Sequence, residues 1–160
     1  MILIVSDTGP INYLVIIGQI GLLPQLADRI VLPFSVHGEM LDVRAPEIVR
    51  TWAGKLPDWI ELRSSTPTVG GKGLSIADRE AITLARDLKA TLLLTDDRKA
   101  RQCAAGIGVA SIGTLGILEI AAERKLISLP DALQKLRATS CFLAEELIED
   151  ALNRDRARNS

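Results

Sequence analysis

The chain has 160 residues, 48% of them apolar and 3% aromatic, with a formal net charge of -1. A chain of this length can bury about 70% of its unfolded surface around one core, so neither a disulfide framework nor a structural metal is needed to hold it together. The near-neutral balance leaves no bulk basic character to advertise nucleic-acid binding, so an anionic ligand would have to be met by a local patch.

The run Ile2 to Val5 is continuously apolar and bounded by Ser6, Asp7, Thr8, Gly9 and Pro10, which predicts a strand buried on both faces and broken by Gly9 and Pro10. It is too short for a membrane span or a signal h-region and has no basic flank, so a soluble, cytoplasmic protein is expected. Residues 12–17 and 22–27 then predict helix, and 30–32 a second strand. Pro33 opens a helix with Val36, Met40 and Leu41 on one face, and 46–56 gives another amphipathic helix. Residues 59–62 predict a third strand.

Residues 64–73, SSTPTVGGKG, form the one long loop. Lys72 after two glycines invites a phosphate-loop reading, which fails because Thr66 and Gly73 stand where Gly and Ser or Thr are required; a mobile surface loop or lid is expected instead. Helix is expected over 76–88, strand over 91–94, helix over 97–105 and strand over 109–112. Helices over 114–125, 130–138 and 143–154 follow. Strands separated by helices imply parallel pairing with right-handed crossovers. The expected fold is therefore α/β: a three-layer α/β/α sandwich with a mostly parallel central sheet, in a single domain over 1–160 whose helices from about 130 are less diagnostic.

Acidic residues fall where strands end or the next helices begin. Asp7 closes the first strand and Asp96 and Asp97 close the fourth, while Glu39 and Asp78 lie on intervening helices. In a parallel sheet, ligands bind outside the carboxyl ends of the strands, so Asp7 and the Asp96–Asp97 pair share that edge if strands one and four are neighbours. Carboxylates brought together repel by up to about 4 kcal/mol per pair at 4 Å and an effective dielectric near 20, so a fold that gathers them implies a cation. Each acid also has a structural account. Asp7 and Asp97 can cap the helices that follow them, and Ser75 with Asp78 matches a capping box.

The only histidine, His37, cannot build a histidine-rich zinc site, and no GxSxG elbow is present. Cys103 and Cys141 make no CxxC pair and read as two reduced, buried thiols in helical patterns. Basic patches are Arg98, Lys99 and Arg101 beside the acidic pair, as an RNA-binding candidate, and Arg154, Arg156 and Arg158 in the tail. Trp52 and Trp59 read as core or partner contacts.

The segments ILIVSDTGPI, VHGEML, LSIADREAITLA, LLLTDDRKAR and IGTLGILEIA, in this order, resemble the PIN-domain family of metal-dependent ribonucleases, particularly VapC-type toxins and a related prokaryotic branch. The resemblance covers Met1 to about Leu129. It implies that Asp7, Glu39, Asp78 and Asp97 are the catalytic and metal-binding acids. Asp97 is preferred to Asp96 because the family writes this element as Thr-x-Asp, here Thr95-Asp96-Asp97. Thr8 and Thr95 would be hydroxyls that orient carboxylates or bound water. Where the branch usually reads Gly-Glu, this chain has Ala77-Asp78, which makes Glu80 a substitute for Asp78; the two point about 200° apart on a helix and cannot serve one ion equally.

The same resemblance implies Mg²⁺ or Mn²⁺ as cofactor, hydrolysis of phosphodiester bonds with RNA favoured as substrate, an antitoxin protein as partner, and a homodimer. The alternative is a catalytically weakened PIN-like binding or scaffold protein, which the Asp at position 78 keeps open.

Overall fold

The computed structural model describes all residues 1–160. Its order is β1 (Leu3–Ser6), α1 (Thr8–Ile16), α2 (Leu22–Leu26), β2 (Arg29–Pro33), α3 (Phe34–Leu41), α4 (Glu47–Gly54), β3 (Ile60–Arg63), α5 (Ile76–Asp87), β4 (Leu92–Leu94), α6 (Arg98–Gly106), β5 (Ser111–Ile112), α7 (Thr114–Glu123), α8 (Leu129–Arg137) and α9 (Glu145–Arg158). The chain divides into two compact units, Met1–Thr114 and Leu115–Ser160.

The first unit holds the sheet, five strands in the order β3-β2-β1-β4-β5. Every pairing is parallel, with Val5 opposite both Val31 and Leu93. β1 lies in the middle, which explains its unbroken burial: all four residues are covered, and a half-exposed strand would have needed alternating polar positions. Leu3, Val5, Val31 and Leu93 form one core with Ala81, Ile82, Ala85 of α5 and Ala100, Ala104 of α6. Small alanines on the two helices let them lie close to a branched aliphatic sheet. Ile4, Ile30 and Leu94 alternate to the opposite face and are equally buried. Strand order reverses between β1 and β4, and that reversal opens the crevice at their carboxyl ends.

Several boundaries differ from the sequence expectation for local reasons. Gly9 and Pro10 do not break the chain; both lie in the first turn of α1, where a proline's missing N–H has no intrahelical acceptor to lose. Pro33 ends β2 and caps α3 from outside it. Leu41 is 45% exposed and Ile76 68% exposed, so neither shares the apolar face its periodicity suggested. Segment 64–75 has no regular structure but is anchored: the Val69 side chain is buried in the α5–α6 core, and the amides of Thr68 and Val69 donate to Thr83 Oγ1 at 3.2 and 3.4 Å. Trp52 and Trp59 pair at 6.4 Å between ring centroids.

The second unit is helical. Ser128 caps α8 through the Asp131 amide, and Arg154 pairs with Glu119 at 2.8 Å. Cys141 lies in the connection between α8 and α9 and not in a helix; it and Cys103 are half-buried and neither is in a disulfide. No helix is long and apolar enough to cross a membrane.

Candidate active site

Asp7 follows β1 directly. Its backbone N–H continues the ladder to Leu94 O at 2.8 Å, and its Oδ1 accepts from the Thr8 amide at 2.8 Å, so the residue both ends a strand and caps α1. The strand and the cap together fix a carboxyl that is only 7% exposed. Asp97 follows β4, the neighbouring strand, and caps α6 through the Lys99 amide at 3.0 Å. Asp78 is the third residue of α5 and closes a capping box: its amide donates to Ser75 Oγ at 3.1 Å while its Oδ2 accepts from the Ser75 amide at 3.0 Å. Capping therefore accounts for each of these acids singly, as the sequence allowed.

Capping does not account for their meeting. The Asp7 carboxyl is pushed up from 3.8 to about 8, first by burial, then by its hydrogen bond with Asp78 and the repulsion of that second carboxylate; the Thr8 amide and Thr95 hydroxyl oppose the rise. For Asp78, burial is the largest single influence and pushes upward. Hydrogen bonds to Asp7, to the Ser75 amide and hydroxyl, and to Asp97 outweigh it and hold this carboxyl below its ordinary range. Burial and mutual repulsion thus favour one proton shared by the Asp7–Asp78 pair. A chain of contacts runs from Asp7 to Asp78 to Asp97, with no three acids closed around one point.

Two threonines tie this chain together. Thr95, fully buried, donates to Asp7 Oδ2 at 3.2 Å and accepts from the Asp97 amide at 3.2 Å, so one hydroxyl sets both acids. Thr8 donates to Glu39 Oε2 at 2.5 Å and brings the acid on α3 to the start of α1. None of Asp7, Glu39, Asp78 and Asp97 pairs with a lysine or arginine. Replacing Thr95 by Val keeps the shape and removes both bonds. The expected result is a folded protein about 1–3 kcal/mol less stable, read as a lower urea midpoint.

The remaining acids are placed differently. Asp96 accepts from the Thr114 amide at 2.7 Å and from Thr114 Oγ1 at 2.6 Å, so both its oxygens hold the turn after β5. Gly113 is required there, because a Cβ would fall 2.6 Å from Asp96 Oδ1. Sequence reasoning did not find Thr114 or Gly113 as partners of Asp96; the Gly-Thr pair that opens α7 was the available signal. Glu80 is buried and its Oε1 accepts from the Ser35 amide at 3.3 Å, away from the Asp7–Asp78 contact and at the start of α3. His37 Nε2 lies 2.9 Å from Ala53 O and joins α3 to α4. Arg98, Lys99 and Arg101 line the start of α6 and are exposed.

Comparison with known proteins bears on the family and the fold. A family profile, DUF3368, described as a PIN domain, matches residues 3–156. Among solved structures, a PilT N-terminus domain protein, SSO1118, from the hyperthermophilic archaeon Sulfolobus solfataricus P2 is similar at 15% identity and a TM-score of 0.50, covering 90% of this chain and 100% of its own. That likeness concerns the fold. No curated protein matches the chain. PIN domains are generally nucleases and typically use divalent metal ions. With a profile spanning nearly the whole sequence and an all-parallel sheet that gathers acids at its topological switch, the chain belongs to the PIN-domain family.

Proposed function

We propose that the protein is a metal-dependent endoribonuclease that hydrolyses phosphodiester bonds of RNA, with Asp7, Asp78 and Asp97 as the primary acids and Glu39 as the fourth. The observation that carries this reading is the buried Asp7 carboxyl, held against Asp78 with no basic partner and pushed up to about 8. Such a pair is stabilised either by a proton or by a cation. The donor set is oxygen only, which fits Mg²⁺ or Mn²⁺ and not a softer metal.

A bound divalent cation would neutralise phosphate oxygens, acidify water and stabilise the leaving 3′ oxygen. The chain's own residues do the rest. Thr95 holds Asp7 and Asp97 in fixed mutual orientation, and Thr8 holds Glu39. Asp97 or Asp78, both more accessible than Asp7, takes the proton of the attacking water. Arg98, Lys99 and Arg101, at the start of the helix that Asp97 caps, meet the backbone of the RNA. Phe34, Leu41, Val43 and Ile48 are large apolar side chains exposed on or between α3 and α4, and they support the protein partners of this reading, an antitoxin or a second copy.

Mn²⁺-dependent cleavage of single-stranded RNA tests the proposal. Wild type should cleave, and Asp7→Asn should be slower by about 100-fold or more, at least the cost of losing a residue that merely orients a metal ligand. Equal activity in both removes the nuclease assignment. A second reading, a PIN-like binding protein with weakened catalysis, is favoured by one observation: Asp78 Oδ2 is engaged by the Ser75 amide, leaving a short side chain less free to serve a cation. Mn²⁺ binding without cleavage by wild type would select it.

A further inference from the structure

Two basic side chains follow the site acids in sequence, Arg79 after Asp78 and Lys99 two residues after Asp97, and the 64–75 segment treats them differently. Each lies across a glycine of that segment. At Gly70 a Cβ would strike the Arg79 side chain. At Gly73, which has φ +85, a Cβ would fall 2.5 Å from Lys99 Nζ, 2.9 Å from Cδ and 3.2 Å from Cε. The left-handed backbone favours glycine at position 73, and a side chain there would push the lysine end aside. Arg79 is used structurally, because its Nε donates to Val69 O at 3.0 Å and holds the segment down. The segment is also held by Arg86, which donates to Thr68 Oγ1 at 2.6 Å, and by the buried Val69. The segment that passes under Lys99 is therefore anchored a few residues before Gly73. Lys99 Nζ itself has no hydrogen bond and no ion pair.

Ordering a lysine stem costs up to about 2 kcal/mol of side-chain entropy, and no acid in the chain competes with an arriving anion for this ammonium. A cation with no ion pair to break avoids the cost of breaking one when it meets an anion. The backbone amide of the same residue donates to Asp97, so the seat and the acidic edge share one helix start. We propose that Lys99 is a substrate-positioning residue, its ammonium seated over Gly73 to receive a phosphate of the RNA backbone flanking the one held at the acids. This rests on the nuclease reading and adds the side chain that sets substrate register.

The test measures binding of a fluorescein-labelled single-stranded RNA dodecamer, with Ca²⁺ replacing Mn²⁺ to prevent cleavage, across a salt series. Lys99→Met should weaken binding roughly tenfold and reduce the salt slope by about 0.7, the value for one phosphate contact on a single strand. Its melting-temperature rise with Mn²⁺ should stay as in wild type. Gly73→Ala, which displaces the lysine, should show the same loss, and the double variant no further loss. Unchanged affinity and slope in Lys99→Met, or losses that multiply in the double variant, overturn the seat. A weakened Mn²⁺ response in Lys99→Met overturns it too, by making the lysine a counterion of the acids. If wild type neither binds nor cleaves the RNA, the nuclease reading falls first and the positioning role with it; if wild type does both and Lys99→Met does as well, the positioning role falls alone.

Discussion

Asp7→Asn should make the metal-free protein more stable at pH 8, not less. The Asp7 carboxyl stands at about 8 in the folded chain against an ordinary 3.8, raised first by burial and then by Asp78. A carboxyl with a raised folded pKa binds its proton more tightly in the native state. Its contribution is therefore fully present below about pH 4 and is lost as pH rises from 4 to 8. Asp78 is held below its ordinary value, so its contribution is present above that value and lost only in stronger acid; the two windows do not overlap. At roughly 1.4 kcal/mol per pKa unit the Asp7 effect reaches a few kcal/mol. Asn reproduces the protonated form: it still caps α1 and still offers Asp78 a donor.

In EDTA at pH 8, the variant should melt roughly 5–10 °C above wild type, taking about 2–4 °C per kcal/mol for a chain of this size. The gap should close as pH falls toward 4. Mn²⁺ should narrow the gap at pH 8 by raising wild type alone, because cation at about 100 times its Kd adds about 2.7 kcal/mol to a protein that binds it and nothing to one that does not. A variant that melts lower than wild type in EDTA and still responds to Mn²⁺ would leave helix capping as the whole explanation of Asp7.

Much of this is legible in the sequence because it is local. The four-residue apolar run before Asp7, the Ser75–Asp78 capping box and the acids after β1 and β4 all follow from spacings of a few residues. What the sequence could not supply is contact across distance. That β1 and β4 are neighbours depends on strand order, and until it is known Asp7 and Asp97 are two separate caps. Asp96 and Asp97 stand side by side in sequence with equal claims, yet Thr114, 18 residues further on, engages both oxygens of Asp96. The 64–75 loop reads as mobile because its glycines and polar residues are visible, whereas the anchors from Arg79, Thr83 and Arg86 come from a helix whose own pattern says only that it is amphipathic. Gly9 and Pro10 read as ending the first strand, and Asp7 as the cap of the helix after it; what spacing alone did not show is that both residues already lie in the first turn of that helix.

Direction favours Asp78 over Glu80 as the third acid of the proposed site. Two residues apart on α5, they point about 200° from one another, and the structure turns Asp78 toward Asp7 and Asp97 while Glu80 faces α3. There it does work that α3 otherwise lacks. Pro33, the residue before that helix, provides no side-chain cap, and the Ser35 amide in the first turn is met by Glu80 Oε1. An anion at a helix start is stabilising in its own right. Glu80 thus supports the helix that carries Glu39 and reaches the site only through it.

Three substitutions separate the roles. Asp78→Asn preserves an acceptor for the Ser75 amide, so the fold should persist; the Mn²⁺-dependent rise in melting temperature should vanish and cleavage should fall by about 100-fold or more. Glu80→Gln retains size and a carbonyl for the Ser35 amide, so the cation response should survive. Glu80→Ala leaves that amide buried without its partner and should cost about 1–3 kcal/mol, read as a lower urea midpoint with the Mn²⁺ response intact. The reverse outcome, Asp78→Asn tolerated and Glu80→Gln blind to Mn²⁺, would make Glu80 the third acid and reduce Asp78 to a capping residue. Because Asp78 adds to the burial that raises the Asp7 carboxyl, Asp78→Asn should in addition reduce the fall in stability between pH 4 and 8 without abolishing it. Glu80→Gln should leave that fall unchanged, so a titration without metal or substrate distinguishes the two residues independently of catalysis.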